Sequence, residues 1–234
     1  MDVVNNEIIE LTILESMIRE IEILAADLQA ITKFYGGVLE LPALAVPAGQ
    51  AAFEVGETKL IFREMAGIEP YYHFAIDIPH NKLYDAYHWM QNKAALLPVE
   101  HETVFTQFIN WNAQSFYFFD SSGNLLEFIC RYDVANSSSQ PFSARSFQYI
   151  SEIGIVTNNV NEEVKELGER YGLAPYKRQP VLENFAAVGD EEGLLIISAA
   201  GRNWYPTEKA ASRFFTRVAM DGTDRKQILE MIFE

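Results

Sequence analysis

The chain echoes itself in register. Glu20-Ile21-Glu22-Ile23 returns as Glu152-Ile153-Gly154-Ile155, and Phe53-Glu54-Val55-Gly56-Glu57 as Ala186-Ala187-Val188-Gly189-Asp190. Ala66-Gly67 returns as Ala200-Gly201, with the offset held between 132 and 134 residues. A repeat that keeps its register restricts the fold to copies of one supersecondary unit.

Each unit reads as a strand, a helix and several short strands. In the first, Ile18–Ala25 alternates as a strand, and Asp27 is placed to cap a helix. Leu28, Ile31, Tyr35 and Val38 share one helical face, and Gly36-Gly37 with Pro42 ends it. Strands follow at Ala51–Val55 and Lys59–Arg63 around a Gly56-Glu57-Thr58 turn. The second unit runs from a strand at His73–Ile78 through a helix with Leu83, Tyr87, Met90 and Ala94 on one face. It closes with strands near Val104–Ile109, Ser115–Phe119 and Asn124–Arg131. The third has a strand at Tyr149–Val156, a helix carrying Val160, Val164, Leu167 and Tyr171, and strands at Phe185–Val188 and Leu194–Ser198. A truncated fourth is expected to start with a strand at Phe214–Met220 and stop after a helix at Arg225–Phe233.

Asp133–Ser146 is rich in Ser, Asn, Gln and Ala, the composition of a linker. The expected division is a complete paired module over 17–133, a linker over 134–145 and an incomplete module over 146–234.

Composition excludes several function classes. The chain has 234 residues, of which 49% are hydrophobic and 22% charged, enough for real cores. A net charge of −15 argues against nucleic acid and anionic membranes as partners. Cys130 is the single cysteine, so neither an internal disulfide nor a Cys-based zinc site can form. The acidic Met1–Glu15 stretch lacks a signal peptide's pattern, and no apolar run reaches membrane-spanning length. The expected location is the cytoplasm.

Asp120-Ser121-Ser122-Gly123-Asn124 is turn chemistry, and it leads into the apolar strand Leu125-Leu126-Glu127-Phe128-Ile129. Glu127 is out of place there unless a cation meets it. His73 opens another apolar strand and Glu20 lies in a third.

Repeated βαβββ units, a helix ending in Phe34-Tyr35-Gly36-Gly37-Val38-Leu39, and the Asp120…Gly123-Asn124-Leu125-Leu126-Glu127 turn-strand resemble the glyoxalase/bleomycin-resistance/extradiol-dioxygenase superfamily, the vicinal oxygen chelate proteins. The resemblance covers 17–133 and, more weakly, 146–220. It implies an α+β fold whose half-modules pair into curled mixed sheets around a cup. Carried over by position, it implies Glu20, His73 and Glu127 as metal ligands. Histidine is usual at the Glu20 position, and Ile61 stands where a fourth ligand would be. One histidine with two glutamates suits Mn, Fe, Ni or Zn.

The residues also allow other readings. Arg63, Arg19 and Arg131 are candidate ion-pair partners for Glu127, and Arg63 shares a strand face with Ile61. Glu22 shares a face with Glu20 and, with Tyr117, is a candidate to move protons. Arg63, Trp111 and Phe119 are candidate substrate contacts. In the third unit Glu152 repeats Glu20, but Leu195 and Arg217 stand where its partners would be. Glu152 then reads as paired to Arg217, and this module as degenerate. Gly201–Thr207 is a polar-aromatic loop suited to a pocket edge or a homodimer contact. Three functions follow: a metal-dependent enzyme for a small substrate with vicinal oxygens, a metal-free small-molecule binder of the drug-sequestering, bleomycin-resistance kind, or an interaction or structural protein whose degenerate module is an assembly surface.

Overall fold

The computed structural model describes residues 16–99, 103–222 and 228–234. Met1–Glu15, His101 and the start of the expected last helix at Arg225 lie outside them. Strand β1 is Ile18–Ala25, as its alternation predicts. Helix α1 (Leu28–Thr32) is capped by Asp27, whose side chain accepts from the amides of Gln29 and Ala30. It continues as a wider π-type turn over Lys33–Val38, where two glycines stand together. β2 (Ala43–Leu44), β3 (Gln50–Val55) and β4 (Thr58–Glu64) complete the first unit.

The second unit holds β5 (His73–Asp77), α2 (Leu83–Met90), β6 (Thr106–Phe108), β7 (Ala113–Phe119) and β8 (Leu125–Arg131). The third holds β9 (Tyr149–Thr157), α3 (Val160–Tyr171), β10 (Phe185–Asp190) and β11 (Gly193–Ala199). β12 (Thr216–Asp221) and β13 (Ile228–Phe233) end the chain. Among the described residues no helix is long and apolar enough to cross a membrane.

The last element corrects the sequence reading. Ile228–Phe233 was expected to be helical, yet it pairs antiparallel with β12, Val218 facing Met231. Ile228, Leu229, Met231 and Ile232 satisfy a helical spacing, while Leu229, Met231 and Phe233 satisfy a period of two. The free edge of β12 selects the second.

Two curled mixed sheets form, with orders β13-β12-β1-β4-β3-β2 and β10-β11-β9-β5-β8-β7-β6. The first unit therefore shares a sheet with the last strands, and the second unit with the third. The sheets do not follow the expected 17–133 and 146–234 division, because β5 pairs with β9 across the connecting segment. That segment is pinned. The His80 amide donates to Asn136 Oδ1 at 2.9 Å, and Phe142 packs on Phe147 and Phe128.

Alternation sorts each sheet into two faces. In the second sheet Phe74, Ile76, Phe116, Phe118, Leu126, Phe128, Ile153 and Ile155 join the main core, which also takes Ile21, Ile23, Leu60 and Phe62 of the first. The opposite face carries His73, Ala75, Asp77, Tyr117, Glu127, Arg131 and Glu152. All of these are buried, although most are polar.

Candidate metal centre and cavity

The Asp120–Asn124 turn sets the site. Gly123 has φ +79°, a left-handed conformation suited to glycine. Asp120 Oδ1 accepts from the Ser122 and Asn124 amides at 2.8 and 2.9 Å. Its Oδ2 accepts from the Tyr35 hydroxyl at 2.8 Å, tying the turn to the first unit. Asn124 Oδ1 in turn accepts from the Tyr72 amide at 2.9 Å. β8 is thereby docked parallel to β5, with His73 opposite Leu125 and Ala75 opposite Glu127.

Ala75 also faces Glu152 on the far side, and Glu127 faces Tyr117. One row across four strands thus reads Tyr117, Glu127, Ala75, Glu152. The small Ala75 side chain between the two glutamates leaves them room to converge with His73. One ligand atom from each of His73, Glu127 and Glu152 lies within 4.8 Å of the others.

His73 is held as a ligand would need to be. Its Nδ1 is 3.1 Å from the Leu125 carbonyl, which can only accept, so Nδ1 carries the proton. Burial pushes the imidazole below its ordinary range, and Arg202 adds to that against the opposing charge of Glu152. The ring is then neutral near pH 7, with the Nε2 lone pair 3.7 Å from Glu127 Oε2, so this contact is not an ion pair. Burial, and then the charge of Glu152, raises the Glu127 carboxyl well above its ordinary range. Glu127 Oε1 is buried without a hydrogen-bond partner among the described residues.

Beneath the row lies Arg131, 1% exposed. Its Nε donates to Asp77 Oδ2 at 3.0 Å and its Nη2 to Glu152 Oε1. Asp77 is raised by burial to about 7, with Arg131 acting against that shift. Three buried carboxylates against one guanidinium leave an excess of two negative charges when all are ionised. A divalent cation would balance that excess. The donor set, one imidazole and two carboxylates with an orphaned oxygen, fits a first-row divalent ion.

The cluster floors a cavity of about 370 Å³ walled by Phe108, Trp111, Tyr117, Phe185, Trp204 and Tyr205. Trp204 comes from the Gly201–Thr207 loop, and its ring lies 5.2 Å from that of His73. Gly154 makes room for it, since a Cβ there would sit 2.7 Å from Trp204 Cη2. Gly154→Ala should therefore displace the indole and shift tryptophan emission. An overpacking cost of about 1–3 kcal/mol should appear in denaturant melts.

The other positions read from the sequence fall elsewhere. Glu20 lies on the first sheet, bound to Lys59 at 2.9 Å and Arg217 at 2.5 Å. It does not join His73 and Glu127. Glu22, the candidate proton carrier, is held by Arg63 at 2.9 Å and Arg217 at 3.0 Å. Arg63 therefore meets Glu22 and not Glu127, and Arg217 meets Glu20 and Glu22 and not Glu152. The reason is pairing: β12 lies beside β1, so Arg217 faces Glu22 directly. Arg217 is half-buried on the first sheet, its guanidinium shared among Glu20, Glu22 and Glu230. Phe119 packs beside the cavity without lining it, whereas Trp111 and Tyr117 line it. Glu152 is a site residue that the sequence reading did not place there; Arg131, read as a partner for Glu127, pairs with Asp77 and Glu152, and Arg202 and Trp204 lie in the loop read as a pocket edge. The signal for Glu152 was its echo of Glu20 within an apolar strand.

No family model and no curated protein matches the sequence. Solved structures do. A candidate dioxygenase from Bacillus subtilis superposes with a TM-score of 0.60 at 14% identity, covering 92% of this chain and 84% of that one. Glyoxalase I from Zea mays superposes with a TM-score of 0.54 at 14% identity, covering 88% and 74%. With its two curled sheets built from repeated units, the chain has the fold of the glyoxalase/bleomycin-resistance/dioxygenase proteins, the vicinal oxygen chelate superfamily.

Proposed function

We propose that the chain is a metal-dependent enzyme acting on a small organic substrate with two neighbouring oxygens, and that His73, Glu127 and Glu152 hold the metal. The observation that carries this is the convergence of three buried ligand groups, one with an orphaned oxygen, on the floor of an aromatic cavity. A divalent ion there would act as a Lewis acid on the substrate oxygens. The protein's own contributions are separate. The Leu125 carbonyl fixes the His73 tautomer, and Arg131 holds Glu152 in place. The aromatic walls give the cavity a largely apolar lining. Tyr117, kept protonated by burial and then by the charge of Glu127, is a hydrogen-bond donor beside the reacting atoms.

The site predicts a pH dependence. Glu127 must lose its proton to bind metal, so metal binding should release protons and tighten as pH rises. Without metal, Glu127 and Asp77 have folded-state values above their unfolded ones. Their contribution to stability is present below about pH 4 and is lost as pH climbs through about 7 for Asp77 and about 8 for Glu127. The thermal shift produced by Mn or Zn should therefore be larger at pH 8 than at pH 6, read by scanning calorimetry after chelator treatment. An equal shift at both values would count against Glu127 as a ligand.

A second reading is supported by Arg131. Its guanidinium already meets Glu152, so the same cup can serve as a metal-free binding site for an apolar molecule. Metal analysis of protein purified without chelators separates the two.

A further inference from the structure

Among the described residues, one cation lines the cavity without an ion-pair partner. Arg202 belongs to the loop that brings Trp204 over His73, and its guanidinium stacks on Phe185 at 4.6 Å. Among the described residues it makes no ion pair. Its side chain reaches only the Asn203 carbonyl, at 3.4 Å. The chain carries 33 acidic residues against 18 basic ones, and Arg131, Arg217, Arg63 and Arg178 are all taken by carboxylates. Burial lowers the Arg202 guanidinium from its ordinary value, with no acid restoring it. An arginine seated over an aromatic ring in a partly desolvated wall has N–H donors to offer a ligand that enters.

We propose that Arg202 binds an anionic group of the ligand, and that this site takes aromatic carboxylates. This rests on the cavity being the ligand site of the proposed function. The planar fork of a guanidinium matches a carboxylate's two oxygens. The ring of such a ligand fits among Trp111, Phe108 and Trp204. That seating leaves its other oxygens facing His73, Glu127 and Glu152. An aromatic body with one anionic end thus uses every kind of surface that the cavity offers.

Quenching of tryptophan emission, reported by Trp111 and Trp204, measures binding. The probes are phenylacetate and its neutral isostere phenylacetamide, each titrated into chelator-treated full-length protein. Wild type should prefer the acid over the amide more strongly than Arg202→Met does, by about 10- to 100-fold. The variant should lose less affinity for the amide than for the acid, and matching melting curves would show that it folds. Comparing the ratio between the two proteins cancels the repulsion that the nearby carboxylates exert on both. Because the protein is chelator-treated, the Arg202-dependent preference is read without metal, which separates this proposal from the metal reading. An equal acid-to-amide ratio in wild type and Arg202→Met would overturn the proposal. So would the absence of saturable quenching by either probe.

Discussion

Replacing Arg131 with methionine should cost the metal-free protein about 3–5 kcal/mol, because it removes a guanidinium paired with two buried carboxylates. For a chain of 234 residues that corresponds to a fall in melting temperature of roughly 6–20 °C. Methionine keeps most of the volume, so the loss is electrostatic more than steric. Asp77 and Glu152 would be left without their partner and would escape by taking up protons. Arg131 holds the Asp77 value down against burial. Its removal should widen the gap between the folded and unfolded values. The variant should then lose more stability than wild type as pH rises from 5.5 to 8. Thermal melts at both ends of that range check this. A constant difference between the two proteins would mean that the arginine acts through packing alone.

His73→Ala should weaken metal binding by on the order of 100-fold or more, since even partners behind the ligands contribute 10- to 100-fold. The two remaining carboxylates cannot complete a coordination shell. In wild type, metal at a hundredfold excess over its Kd stabilises the folded state by about 2.7 kcal/mol. That is roughly 5–10 °C for a chain of this size. His73→Ala should lose that increment. Its metal-free melt should change much less, because the imidazole is neutral and makes one hydrogen bond, to Leu125. Calorimetry with and without Mn or Zn measures both effects. A variant that keeps the metal-dependent increment would remove His73 from the site.

What could be read from the sequence was local. The β1 alternation, the Asp27 cap, the α3 stripe and the Asp120–Asn124 turn all depend on residues a few positions apart, and they stand in the structure as read. His73 and Glu127 were also within reach, because one turn docks their two strands. The choice between Glu20 and Glu152 was not local. Both are acids in apolar strands at the same position of a repeat. Which one meets His73 depends on which unit docks on which sheet edge. β9 lies against β5, which brings Glu152 in, while β12 lies against β1 and neutralises Glu20 with Arg217. Strand pairing over such separations leaves no trace in periodicity. β13 failed for a related reason: its apolar residues fit both periods, and only the edge that it joins decides.

Metal analysis of three proteins purified without chelators tests the central claim most directly: wild type, Glu152→Gln and Glu20→Gln. Each glutamine keeps its side chain's shape and removes its charge. The structure puts Glu152 with His73 and Glu127, and Glu20 with Lys59 and Arg217. The expected result is one first-row divalent metal per chain in wild type and in Glu20→Gln, with most of it lost in Glu152→Gln. Retention by Glu152→Gln with loss from Glu20→Gln, or no metal in wild type, would contradict the account.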